Sequence, residues 1–179
     1  MMLSPYCGHE NIQGVDECEH CKCSLADVEL LVPATPVERD LLRDRAGSLT
    51  SRPPLTVTPL TPVRRVLQLM NENSIGCVGI VKEGRLVGVF SERDALLKLG
   101  TDAASLGEYP VSEFMTANPK TLGADAKIAF AVRHMDQGGF RHLPIVSETN
   151  ELVGVLSVRD ILRYVAGRMG AEPLAAVEA

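Results

Sequence analysis

Leu86-Val-Gly-Val-Phe-Ser-Glu-Arg-Asp-Ala-Leu96 returns as Leu152-Val-Gly-Val-Leu-Ser-Val-Arg-Asp-Ile-Leu162, with eight of the eleven positions identical and Ser157 standing 66 residues after Ser91. Repetition at that length means that one supersecondary unit is used twice. The repeated text also has a direction: an apolar strand, a serine, an aspartate three residues on, then an amphipathic helix. A hydroxyl, a carboxylate and the free N–H groups of a helix start are therefore set side by side, in duplicate.

The surroundings of the two stretches repeat as well. Leu55-Thr-Val-Thr58 reads as a short strand, and after Thr61-Pro62 the residues Val63, Val66, Leu67 and Met70 follow a helical i, i+3, i+4, i+7 stripe. Gly76 to Val81 and Leu86 to Phe90 form a hairpin around Lys82-Glu-Gly-Arg85, and a helix follows Ser91 as far as Leu99. In the second copy Thr121-Leu122, the stripe Ile128, Ala131, Val132, Met135, the hairpin strands 143–146 and 152–156, and a helix from Ser157 to Arg168 keep the same order. Each unit reads β-α-β-β-α. A unit this small has a thin core, so two copies are expected to pack face to face with pseudo-two-fold symmetry. The expected fold is mixed α/β (α+β), with the first unit at 54–105 and the second at 106–168. A cysteine-rich segment at 1–28, a connector at 29–53 and a short tail at 169–179 complete the chain. In the connector, Thr35-Pro-Val-Glu38 is a capping box with proline at the first helical position, which predicts a helix to about Arg45.

Composition narrows the function. The 179 residues are 45% hydrophobic but only 4% aromatic, without tryptophan, so aliphatic side chains and methionine must fill the core. The Met70 and Met135 pair is assigned to that core, and Cys77, in an apolar strand, to a small buried hydrophobe. The net charge of −5 and the absence of a basic run argue against nucleic acid as a partner. No apolar run reaches the roughly 18–20 residues of a membrane span. Met1 to Gly14 lacks the basic start and apolar middle of a signal peptide, which leaves the cytoplasm as the expected location.

Ser91-x-x-Asp94 and Ser157-x-x-Asp160 admit two readings. The plain one is a helix cap with an acidic first turn. The other is a ligand site: the helix start suits phosphate, serine can donate to a phosphate oxygen, and an ionised aspartate accepts from the paired hydroxyls of a ribose. Arg93 and Arg159 accompany both aspartates although capping does not need them; a surface ion pair is their plainer account. A Gly-Val pair precedes each serine site and is read as room for close approach to the backbone.

The duplicated pattern, together with Phe114-Met-Thr-x-Asn-Pro119 and Arg141-His-Leu-Pro-Ile-Val146, resembles a tandem pair of CBS domains (a Bateman module) over roughly residues 45–168. That resemblance implies a non-enzymatic regulatory module, usually dimeric, that binds AMP, ADP, ATP or S-adenosylmethionine between the two domains and acts on another protein. It implies that Asp94 and Asp160 hold ribose hydroxyls, with Ser91 and Ser157 near phosphate. Thr50 and Thr56, and Thr116 and Thr121, would flank the base. Arg141, His142 and Pro144 fall in a stretch whose basic members reach phosphates in the family. Their counterparts in the first repeat begin with Gly76 and Cys77, without charge, so two unequal sites are expected. Which aspartate shares a cleft with Arg141 stays open, as does an alternative reading, a dimerisation module with empty sites.

Four of the five cysteines, Cys7, Cys18, Cys21 and Cys23, lie within 17 residues. Such clustering points to metal binding in a reducing compartment. Pro5-x-Cys7-Gly8-x-x-Asn11-x-x-Gly14, followed by Cys18-x-x-Cys21-x-x-x-Leu25, resembles a small zinc ribbon, with Ser4 where the first cysteine would stand. Cys7, Cys18, Cys21 and His9 are the candidate zinc ligands, with Cys23 and His20 as alternatives to His9. The metal would fold a segment that has almost no apolar core of its own.

Overall fold

The computed structural model describes residues 2–4, 9–12, 14–20, 25, 35–50 and 52–169. A two-stranded ribbon opens the chain, β1 (Met2–Leu3) antiparallel to β2 (Glu10–Asn11). The Asn11 side chain is buried; its amide donates to the His9 carbonyl and its oxygen accepts from the Glu19 N–H, tying the ribbon to the following turn. Helix α1 (Pro36–Arg43) starts at the predicted capping box: Thr35 accepts from the Glu38 N–H, and Glu38 accepts from the Thr35 N–H. It ends two residues before the expected Arg45, and a 3-10 turn at Ala46–Leu49 follows.

The first repeat comprises β3 (Thr56–Val57), α2 (Val63–Glu72), β4 (Cys77–Lys82), β5 (Arg85–Ser91) and α3 (Glu92–Asp94), which continues in wide i→i+5 turns to Leu99. The hairpin turns at Glu83 and Gly84, both at positive φ (52° and 80°), which matches the right-handed twist of its strands. A short helix, α4 (Ala103–Leu106), and a two-residue strand, β6 (Thr116–Ala117), lead into the second repeat. There β7 (Leu122–Gly123), α5 (Ile128–Gly138), β8 (His142–Val146), β9 (Leu152–Ser157) and α6 (Val158–Met169) repeat the order.

The two sheets are built alike. The order β3-β4-β5 pairs parallel then antiparallel, as does β7-β8-β9, and both hairpins shift register at equivalent places, after Ile80 and after Ile145. Most of each helical stripe turns inward: Val63, Val66 and Met70, like Ile128, Ala131 and Met135, are buried and Leu67 is half-buried, but Val132 is exposed, because it lies at the margin of the stripe. What the repeat pattern does not reveal is an exchange of edges. Strand β6 pairs with β5 and so closes the first repeat's sheet. Reciprocally, Ala46 and Gly47 donate to the carbonyls of Ala126 and Ala124, and Ile128 donates to that of Asp44. Each repeat thus depends on residues that precede the other.

The repeats meet sheet to sheet. Cys77, Leu86 and Val89 pack on Val146, Leu152 and Val155, and Gly79 lies directly beneath Leu152. Cys18 and Leu25 are buried in the second repeat's core along with Ala46, Leu122 and Leu143, so the cysteine-rich segment is anchored to that repeat. Helix α1 docks on α6, where Tyr164 donates to Asp44 and Arg168 pairs with Asp40 and Asp44.

Candidate functional site

Both serine–aspartate pairs form complete capping boxes. The Asp94 Oδ2 accepts from the Ser91 N–H at 3.0 Å and hydroxyl at 2.6 Å; the Asp160 Oδ2 accepts from Ser157 in the same way at 2.9 and 2.6 Å. The plain reading is therefore true of both, and any ligand must use what capacity remains on Oδ1. Here the repeats diverge. The Asp94 Oδ1 is already taken by the Thr116 hydroxyl and the Lys98 ammonium, each at 2.8 Å. The Asp160 Oδ1 accepts, among the described residues, from Arg163 at 3.2 Å.

The electrostatics follow the geometry. Burial alone raises the carboxyl of Asp94, but the hydrogen bonds from Lys98, Ser91 and Thr116 outweigh it, and its pKa lies below the ordinary carboxylate value. The His142 imidazole is held below its usual value, chiefly by burial, with Glu92 and Asp160 opposing and Arg159 and Arg141 assisting. Burial, with the nearby carboxylates of Asp94 and Glu92, pushes the Cys77 thiol up to about 12; it is the inert residue expected.

The structure resolves which aspartate shares an end with the basic pair. His142 pairs with Ser157 across β8 and β9, and the Arg141 carbonyl accepts from the Val158 N–H, so both stand at the Asp160 helix start. The His142 ring also lies against Gly76 and Glu92 of the first repeat, which places it between the two helix starts. Arg141 is exposed, whereas Pro144 is buried within β8 opposite Val155. Thr50 donates to the Gly47 carbonyl and packs on Gly154. Thr56 is exposed on β3 and Thr121 is half-buried just before β7.

Arg93 donates to the Gly139 carbonyl at the end of α5, linking the repeats. The glycines of the Gly-Val pairs do make close approaches, but to this chain; Met115 fills the space over Gly88 and Thr50 that over Gly154. The residue that sequence reasoning missed is Lys98. Its signal was present, one turn after Asp94, at a position where the second repeat has Tyr164.

For the zinc candidates, Cys7, Cys21 and the alternative Cys23 lie outside the described residues. His9 and His20 stack with ring centroids 5.4 Å apart, and Cys18 is fully buried. Among the described residues no three His, Cys, Asp or Glu side chains converge on a metal position. None of the described helices is long and apolar enough to cross a membrane. An open groove of about 530 Å³ between α2 and the start of α3, lined by Leu67, Met70, Ile75 and Leu96 among others, contains neither aspartate.

The CBS domain family matches the chain at residues 46–100 and again at 111–167. An uncharacterized 17.7 kDa protein of Acidianus ambivalens is 31% identical over 108 residues, which are 60% of this chain and 64% of the relative. The inosine-5'-monophosphate dehydrogenase of Korarchaeum cryptofilum is 31% identical over 117 residues, 65% of this chain but 23% of that enzyme. The chain thus spans less than two thirds of these relatives. Among solved structures, the CBS domain protein PAE2072 from Pyrobaculum aerophilum, complexed with AMP, superposes with a TM-score of 0.62 at 27% identity, covering 72% of this chain and all of that one. The CBS domain pair of MJ0100, in complex with 5-methylthioadenosine and S-adenosyl-L-methionine, gives 0.62 at 23% identity, covering 70% and 98%.

Proposed function

The chain belongs to the CBS domain family, and we propose that it is a regulatory module, not an enzyme, that binds an adenosine-containing ligand between its two repeats. The observation that carries the proposal is the second repeat's helix start. There Asp160, whose Oδ1 meets among the described residues only the exposed Arg163, stands beside Ser157, Arg141 and His142. A carboxylate with spare acceptor capacity suits a ribose diol, and donors at a helix N-terminus suit phosphate. PAE2072 carries AMP on the same fold. AMP, ADP and ATP are the leading candidates, with S-adenosylmethionine as the phosphate-free competitor; the regulated partner is a separate protein in the cytoplasm.

The ligand would join residues of both repeats and so bias their packing, which is how such a module signals. Thr50, Thr56, Thr116 and Thr121 keep their role beside the base, and Arg159 its place at the phosphate end.

Titration calorimetry with AMP, ADP, ATP and S-adenosylmethionine tests the proposal. Asp160→Ala is expected to weaken binding by about 1–3 kcal/mol while the fold persists, the range for loss of a charged acceptor. Silence with all four ligands at millimolar concentration would instead favour a dimerisation module with empty sites.

The same family reading includes a homodimer. Its support here is apolar surface on equivalent helical positions: Leu96 and Leu162 are 76% and 62% exposed, and the α2–α3 groove lies beside Leu96. The cysteine-rich start is read as a structural zinc unit using Cys7, Cys18, Cys21 and His9. What supports it is the clustering of those residues in the sequence, with Asn11 tying His9 to Glu19 beside Cys18. Metal analysis of the native chain that finds no stoichiometric zinc removes that part of the reading and leaves the rest.

A further inference from the structure

We infer that Lys98 is a built-in occupant of the first repeat's carboxylate, so that each chain holds one nucleotide, at Asp160, and not two. The inference rests on the nucleotide reading above and goes beyond it by assigning one repeat as closed.

The argument is one of saturation. A carboxylate offers about four acceptor positions. On Asp94 all are used: the Ser91 N–H and hydroxyl on Oδ2, the Thr116 hydroxyl and the Lys98 ammonium on Oδ1. Lys98 is saturated in turn, because its ammonium also donates to the Phe114 carbonyl at 2.8 Å and the Met115 carbonyl at 3.0 Å. All three of its protons therefore have partners, and the Asp94 side chain is only 10% exposed. A ribose diol arriving at Asp94 would have to displace both the Thr116 hydroxyl and an ion pair to a carboxylate that is itself nearly buried, and would leave the Phe114 and Met115 carbonyls without the ammonium that they share.

Among the described residues, nothing equivalent guards Asp160. The residue at the Lys98 position is Tyr164, whose hydroxyl turns away to Asp44 at 2.6 Å. Thr50, on the segment that plays the part of 114–117 for the second repeat, donates to Gly47 and not to the aspartate. Arg163 reaches Oδ1 at 3.2 Å from a side chain that is 76% exposed, a solvent-screened pair that a ligand displaces readily. The irregular i→i+5 turns at Ala95–Leu99 occur in the repeat that carries the lysine; α6, without it, is regular from Val158 to Met169.

Native mass spectrometry and titration calorimetry of the full chain, with AMP and ATP as probes, test this. The expected result is one nucleotide per chain for the wild type, that same site weakened about 5- to 150-fold in Asp160→Ala, and two nucleotides for Lys98→Met. In Lys98→Met carrying Asp94→Asn as well, the added nucleotide is lost again. Lys98→Gln, which keeps a polar group toward Phe114 and Met115, serves as a second opening variant, and thermal melts verify that each variant is folded. A wild type that binds two, or folded Lys98 variants that still bind one, overturns the inference while leaving the binding reading intact. No nucleotide on the wild type or on either Lys98 variant overturns the binding reading, and this inference with it.

Discussion

A single histidine makes the residue scale measurable. His142 is half-buried between the two helix starts, facing Glu92, Asp160, Arg159 and Arg141, and its pKa lies below the usual 6.5, mainly through burial. The folded state therefore binds this proton less readily than the unfolded chain does. Its contribution to stability is complete above the unfolded value of about 6.5 and is lost as pH falls through the depressed folded value. His142→Gln is expected to flatten the fall in melting temperature between about pH 7 and pH 5, read by calorimetry. A residual slope is expected from His134, lowered likewise by burial and by Lys120 and Arg133. Equal slopes in the two proteins would remove His142 from the account. At this scale the sequence showed which residues carry chemistry but not how far each was already engaged. Asp94 and Asp160 each follow a serine by three residues and an arginine by one, yet Asp94 is engaged by Lys98 and Thr116, whereas the Asp160 Oδ1 meets among the described residues only Arg163.

Among the elements, the hairpins were legible because their signals are local: the period-2 apolar pattern and the Glu83-Gly84 turn need no knowledge of the rest of the chain. The capping box at Thr35 was legible for the same reason. Strand β6 was not, since Thr116 and Ala117 are both exposed and become a strand only because β5 presents an edge to them. Glycines give the sharpest test of packing between elements. At Gly79 an added methyl group runs into the Leu152 side chain and lies 3.6 Å from Leu86, across the contact between the two sheets. Gly79→Ala is expected to destabilise by about 1–3 kcal/mol in chemical denaturation. Gly167→Ala, in α6 with nothing near its new methyl group, should stabilise by about 0.5–1 kcal/mol. Similar effects from both would mean that the sheet contact is looser than described.

For the whole molecule, the exchange of edges makes the repeats interdependent: β6 completes the first sheet, and residues 44–47 bond to 124–128 of the second. Leu96 and Leu162 stand exposed on equivalent helical positions, and the homodimer proposed above would cover them. Light scattering is expected to show a dimer, and Leu96→Asp with Leu162→Asp a folded monomer. A wild type that stays monomeric at micromolar concentration would refute the assignment. The sequence by itself determined the two-fold repetition, the order of elements within each unit, the buried stripes and the family, because periodicity and capping are encoded within a few turns of chain. Only the tertiary structure decided that the units trade edges, that His142 sits between both helix starts and that one carboxylate is closed. Those outcomes depend on which groups meet across tens of residues, and two closely similar stretches of sequence acquire different neighbours when they fold.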